Sequence, residues 1–133
     1  MAYEFTKDLE TGNALIDSQH RELIAAVNGL LDACGHGKGR AHLAESAKFL
    51  SDYTAKHFTD EERLQVQSKY PDYVNHKRYH DMFKKTVADL TRRLNAEGPS
   101  VVLVGEMNTA LVGWLINHIK REDVKVAAHI RAQ

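Results

Sequence analysis

Apolar residues recur along this chain at intervals of three and four, the spacing that lines one face of an α-helix. The pattern appears four times. From about Asp17 to Ala33 the stripe is Leu23, Val27, Leu30 and Cys34. From about Ala41 to Ser68 it is Leu43, Ala47, Leu50, Thr54, His57 and Glu61. From about Tyr73 to Ala96 it is His76, His80, Phe83, Val87, Leu90 and Leu94. After Pro99 a fourth stripe runs through Val104, Leu111, Leu115 and His118. The breakers fall between these segments: Pro71, Pro99, and a loop-forming cluster of Gly35, Gly37 and Gly39. Asp17 or Ser18 is placed to cap the first helix, and Pro99 and Ser100 suit the start of the fourth. The run Val101–Val104 is short for a strand and feeds straight into a helical pattern. Four helices of similar length with short connections predict an all-α fold, an antiparallel up-down four-helix bundle. Residues 1–16 are expected to form an extended N-terminal arm and residues 17–133 the bundle, as one domain without repeats.

The stripes are interrupted by polar residues of one kind. His57 and Glu61 stand i, i+4 on the second stripe, and His76 and His80 stand i, i+4 on the third. That spacing stacks two side chains on one face, and in both helices this face continues the apolar seam. His118 lies on the fourth stripe, and His20, one turn before Ile24, is in phase with Val27. Inward imidazoles and carboxylates are costly unless partnered. A single inward histidine is ordinarily a hydrogen-bonded core residue. Here all four helices carry one, more than a core of this size satisfies by hydrogen bonds alone. Ligands converging from several helices are how bundles build two-metal sites, and imidazole with carboxylate suits iron, manganese or zinc. Asp123 stands apart. It is five residues after His118, about 140° around an ideal helix, so both reach one site only if the helix widens or ends there. His36, His42 and His129 are out of phase with every seam and are read as structural, and Cys34 as a small core residue.

Composition narrows the classes without changing the fold. Lys plus Arg and Asp plus Glu number 18 each, so the net charge is zero. No basic stripe points to nucleic acid; Lys120, Arg121 and Lys125 are interrupted by Glu122 and Asp123. No apolar run is long enough to cross a membrane, and the opening MAYEFTKDLETG does not read as a secretory leader. With one cysteine, which cannot form an intramolecular disulfide, the expectation is a cytoplasmic protein.

Four stretches carry a resemblance: TGNALIDSQHREL at Thr11–Leu23, HFTDEE at His57–Glu62, YPDYVNHKRYHDMF at Tyr70–Phe83 and WLINHIKRED at Trp114–Asp123. In order and spacing, over nearly the whole chain, the sequence resembles the hemerythrins, particularly the single-domain bacterial ones. The resemblance implies a non-haem diiron centre, two iron ions joined by an oxo or hydroxo bridge. By it, His76, His80 and His118 hold one iron. His20 and His57 hold the other, which keeps an open position. Glu61 and Asp123 bridge the pair, which gives Asp123 the role that phase left undecided. It implies that dioxygen binds reversibly at the open iron and is held there as hydroperoxide; peroxide or small anions such as azide would bind at the same place. Five imidazoles and only two carboxylates make a less anionic site than that of the carboxylate-rich diiron oxygenases, which favours carrying dioxygen over splitting it.

Ile24, Phe58 and Trp114, each within a turn of a ligand, are expected to line the pocket. Two residues depart from the family pattern: Ile24 stands where an aromatic is usual, and Gln65, one turn after Glu61, where Met is usual. A Gln facing the pocket can hydrogen-bond the bound ligand or admit water, which bears on how long the oxygenated form lasts. The reading is therefore a dioxygen carrier, store or scavenger and not an enzyme. Its rivals are a diiron peroxidase or oxygen-reducing enzyme, and an oxygen or redox sensor domain belonging to a longer signalling protein. No protein partner is read from the sequence.

Overall fold

The structure is a computed structural model describing residues 3–35 and 40–133, with side chains from Leu43 onward in the second helix. His36 and the glycines at 37 and 39 lie outside the described residues, as does the side chain of His42.

Helix α1 spans Ala14–Gly35, α2 Arg40–Gln67 and α3 Tyr73–Glu97. The fourth rod is continuous from Val101 to Arg131 but not uniform. Three α-helical pieces, α4 (Val101–Met107), α5 (Trp114–His118) and α6 (Val124–Arg131), are joined by π-helical turns at Asn108–Gly113 and Ile119–Asp123. The joints keep right-handed helical dihedrals, so the rod widens without breaking.

Neighbouring helices run antiparallel. Gln19 meets Asp60 across α1 and α2, Glu62 meets His80 across α2 and α3, and Arg93 of α3 pairs with Glu106 of α4. His20 beside Asp123 and Tyr3, bound to Asn28, beside Asn108 close the ring between α1 and the fourth rod. The bundle is the up-down form the stripes predict, and among the described residues there is no strand. No described helix is long and apolar enough to cross a membrane.

The stripes of α1, α2 and α3 are buried as read, Cys34 included. Two expectations change. The fourth rod buries Leu103 and Met107, whereas Val104, which the stripe includes, is only partly covered. The first helix starts at Ala14, not Asp17, because Asn13 caps it: its Oδ1 accepts the Ile16 amide at 3.0 Å. Asp17 instead ties down the arm. Its carboxylate accepts the Thr11 amide at 2.8 Å, the Thr11 hydroxyl at 2.7 Å and the Gly12 amide at 3.2 Å. The arm thus ends at residue 13. It contains a 3-10 turn, Lys7–Leu9, that drops Leu9 into the core. Ser100 does cap the fourth rod, its Oγ accepting the Leu103 amide at 3.0 Å. Gly98 ends α3 with φ 76°, a conformation that favours glycine.

The interior has two apolar parts. The large one runs from Leu9 and Leu23 through Phe58 and Phe83 to Ile119. The small one is Ile16, Val126 and Ala127, with Leu64, Tyr70 and Ile130 against it. Between them on α1, α2 and the fourth rod lies a polar layer: His20 follows Ile16, Glu61 precedes Leu64, and Asp123 precedes Val126.

Candidate metal centre

Seven side chains make up that layer: His20, His57, Glu61, His76, His80, His118 and Asp123. All are buried, His118 most open at 5 %. Helix α1 supplies His20. Helix α2 supplies His57 and Glu61 one turn apart, and α3 supplies His76 and His80 in the same way. The fourth rod supplies His118 and Asp123 across the π turn Ile119–Asp123. A π turn closes i→i+5 hydrogen bonds, so residues five apart come to share a face. The widening that the His118–Asp123 spacing demands is present at that spacing.

Each carboxylate divides its two oxygens between two sets of imidazoles. Glu61 Oε1 lies 2.7 Å from His76 Nε2 and 3.4 Å from His80 Nε2. Asp123 Oδ1 lies 3.0 Å from both His76 Nε2 and His118 Nε2. On the other side, Glu61 Oε2 lies 3.4 Å from His57 Nε2 and 3.9 Å from His20 Nε2, and Asp123 Oδ2 lies 2.8 Å from His20 Nε2. Two groups of donor atoms result, each within 4.8 Å: Glu61, His76, His80, His118 and Asp123 in one; His20, His57, Glu61 and Asp123 in the other.

The donor set fits metal. His57 Nε2, His80 Nε2, Glu61 Oε2 and both Asp123 oxygens are buried without a hydrogen-bond partner, an arrangement that costs free energy unless a cation accepts their lone pairs. Protons take that role when metal is absent. Burial and repulsion from Asp123 oppose ionisation of Glu61, yet the imidazoles of His57, His76 and His80 around it hold its carboxyl well below the usual range. Burial likewise opposes the Asp123 anion, and the neighbouring imidazoles, His118 first and then His20 and His76, overrule it. Burial disfavours charge on His76, but Asp123 and Glu61 raise it to about 10. His80 is raised against the same burial by Glu61 and Glu62.

Behind the imidazoles stand residues that phase along the chain did not single out. Gln19 Oε1 lies 2.8 Å from His57 Nδ1, and Gln19 Nε2 donates to Asp60 Oδ2 at 2.8 Å. Glu62 Oε2 lies 2.9 Å from His80 Nδ1. The aromatic residues expected to line the site gather on its three-histidine side. Phe58 stacks on His80 with centroids 3.8 Å apart and is 5.7 Å from His57; Trp114 stacks on His118 at 4.4 Å. Ile24 is buried one turn after His20.

Gln65 is buried and turned inward, but toward Glu61 Oε1, which its Nε2 reaches at 3.5 Å. That is the oxygen facing His76 and His80, so Gln65 stands away from the two-histidine side where the resemblance puts the open position. Its own Oε1 has no partner. His129 is apart from the cluster, its Nε2 2.6 Å from the Ser68 carbonyl oxygen.

Known proteins resemble this chain over most of its length. The family model described as the hemerythrin HHE cation binding domain matches residues 11–130. The bacteriohemerythrin of Stenotrophomonas maltophilia is 37% identical over 125 residues, covering 94% of this chain and 79% of that one. The bacteriohemerythrin of Pseudomonas aeruginosa is 36% identical, covering 93% and 78%. The myohemerythrin of Sipunculus nudus is 29% identical, covering 92% and 89%. A crystal structure of a hemerythrin variant superposes with a TM-score of 0.84 at 27% identity, covering 98% of both chains. A bundle whose four rods bring five histidines and two carboxylates to one buried layer, matched by that family model over most of its length, belongs to the hemerythrin family.

Proposed function

We propose that this protein binds dioxygen reversibly at a diiron centre and acts as a carrier, store or scavenger. The observation that carries the reading is the division of carboxylate oxygens. Glu61 and Asp123 each offer one oxygen to His76, His80 and His118 and the other to His20 and His57. Two cations, each between one histidine set and both carboxylates, satisfy every inward lone pair of these groups; one cation leaves half of them bare. His76, His80 and His118 would hold one iron, His20 and His57 the other, with Glu61 and Asp123 across both.

The iron pair, when bound, supplies the two electrons that reversible dioxygen binding requires. The chain supplies the rest. Three imidazoles face one side and two the other, so a metal held on the two-histidine side would keep the room for an incoming ligand. The large apolar cluster, with Leu23, Ile24 and Leu115, adjoins the layer and excludes the water that would carry protons in and reduced oxygen out. With seven ligand groups and only two carboxylates, the site's modest negative charge favours the reduced metal pair over more oxidised states.

Redox turnover or sensing is the second reading. It is favoured by the unpaired Gln65 carbonyl oxygen beside Glu61, a buried polar atom able to order water. One measurement separates the two: optical spectra of anaerobically reduced protein before and after air, with metal analysis of the same sample. A carrier shows two irons per chain and an oxygenated spectrum reversed by removing oxygen. Immediate conversion to the ferric form overturns the carrier role, and a single metal ion, or zinc alone, overturns the diiron reading.

A further inference from the structure

We propose that Gln19 and Asp60 are positioning residues that fix which nitrogen His57 turns to the metal centre, and that Gln19, being uncharged, makes this imidazole a weaker donor than His80. The inference rests on His57 being a metal ligand, as proposed above.

The assignment follows from hydrogen-bond capacity, beginning at the surface. Lys56 Nζ lies 2.9 Å from Asp60 Oδ2. An ammonium at that distance pairs with a carboxylate, and a carboxylate can only accept. The Gln19 group 2.8 Å from Asp60 Oδ2 is therefore its NH2. Turning the buried Gln19 amide over would face its carbonyl to the Asp60 carboxylate. Its Oε1 must then face His57 Nδ1, 2.8 Å away. A carbonyl oxygen also only accepts, so Nδ1 of His57 carries the proton. The remaining nitrogen, Nε2, is the bare lone pair aimed at the centre, 3.4 Å from Glu61 Oε2. An ion pair on the surface of α2 thus sets a tautomer in the interior by way of one residue of α1.

His80 is held by the same logic with a different partner. Its Nδ1 lies 2.9 Å from the Glu62 carboxylate. An anion behind a ligating imidazole pulls on its proton and strengthens donation from the other nitrogen; a neutral amide does so less. The three-histidine side therefore has a charged backing and the two-histidine side a neutral one. The weaker donation leaves the second metal more electron-poor, on the side that keeps a free position.

Three variants test this, read first in zinc-loaded protein so that dioxygen chemistry does not enter. In the parent, nitrogen-15 NMR should show the His57 Nδ1 proton, slow to exchange. Gln19→Leu keeps the volume and removes the acceptor. It should speed that exchange and weaken zinc at the two-histidine side by about 10- to 100-fold, the usual scale for losing such a partner. Asp60→Ala should do the same to a smaller degree, by freeing the Gln19 amide. The paired change Gln19→Glu with Asp60→Asn restores an oriented acceptor and makes it anionic. It should hold zinc at least as well as the parent and, in the iron form, move the reduction potential to more negative values. Parent-like zinc affinity and proton exchange in Gln19→Leu would overturn the positioning role. An unchanged potential in the paired variant would overturn the difference in donation. A protein that shows all the zinc effects yet never forms an oxygenated spectrum leaves this inference standing and removes the functional one.

Discussion

Helix α2 and the fourth rod solve one problem in two ways. Each brings two polar side chains into the same buried layer. Helix α2 does it with His57 and Glu61, four apart, within a regular α-helix. The fourth rod does it with His118 and Asp123, five apart, and has to become a π-helix between them. In α2 the register of the ligands is also that of the apolar stripe, so the helix has nothing to adjust. In the fourth rod one residue too many lies between the ligands, and the backbone takes up the excess. Registration of side chains on the centre, not the local preference of the chain, decides the helix type there.

A pair of single-residue deletions tests this directly. Deleting the exposed Arg121 puts Asp123 four residues after His118, where an ordinary α-helix delivers both. The site should survive, with metal content as in the parent and the π turn replaced by α-helix. Deleting the exposed Thr59 leaves His57 and Glu61 three apart and turns everything before it by about 100°, along with the Leu43–Thr54 stripe. That variant should lose the metal centre and unfold at lower temperature. Metal analysis and a crystal structure of the Arg121 deletion check the pair. Loss of metal in both would mean that the π turn is needed for itself.

The same contrast explains what could be read from the chain. The apolar stripes of α1, α2 and α3 follow from a fixed period, and residues such as Leu50, Phe83 and Leu94 are buried where that period puts them. In the fourth rod the period changes twice, at Asn108–Gly113 and Ile119–Asp123. A stripe drawn through Val104 therefore misses Leu103, and geometry could only state the condition under which Asp123 reaches the site. Family likeness supplied that residue. Gln19, Asp60 and Glu62 escaped notice for a different reason: each acts through a neighbour on another helix or behind a ligand, and no spacing along one helix marks such a residue. Adjacency to a ligand, Gln19 before His20 and Glu62 after Glu61, is the one signal they give.

Removing either carboxylate of the layer should hurt equally from either helix. Glu61→Ala and Asp123→Ala each leave buried imidazoles without an anion, a loss on the order of 3–5 kcal/mol for breaking a buried pair. Each should also cost at least one metal ion, since metal binding is coupled to folding. His129→Ala, at a histidine that bonds the Ser68 carbonyl and stands apart from the cluster, should retain both ions. Urea unfolding with metal analysis checks all three, and a variant pair that differed strongly would show that the π turn makes Asp123 less essential than Glu61.

Metal must also displace protons from the histidines. With no metal bound, Asp123 and Glu61 raise His76 to about 10, so at neutral pH its imidazole is charged and has to lose a proton to become a ligand. Affinity should therefore rise with pH from about 7 toward 10, by up to about tenfold per unit for each proton displaced, and level off above. Calorimetry in buffers of different ionisation enthalpy would count the protons released. A flat pH profile would mean that the histidines are already neutral in the apoprotein.

Gln65 gives the smallest effect and depends on α2 alone. It stands one regular turn past Glu61, so phase predicts that it faces inward, and it does. Phase does not say which side of the centre it faces; the 3.5 Å approach to Glu61 Oε1 puts it with the three-histidine set. Its amide can affect the oxygenated form only indirectly, by its hold on Glu61 or by a water on its unpaired Oε1. Gln65→Met removes both, and Gln65→Leu removes them with a shorter side chain. The decay of the oxygenated spectrum in air at fixed pH should slow modestly in both, at least as much in Gln65→Leu, with iron content unchanged. Unchanged decay in both variants would show that protons reach the centre from the two-histidine side, where Thr54, buried one turn before His57 with an unpaired hydroxyl, is the next residue to replace.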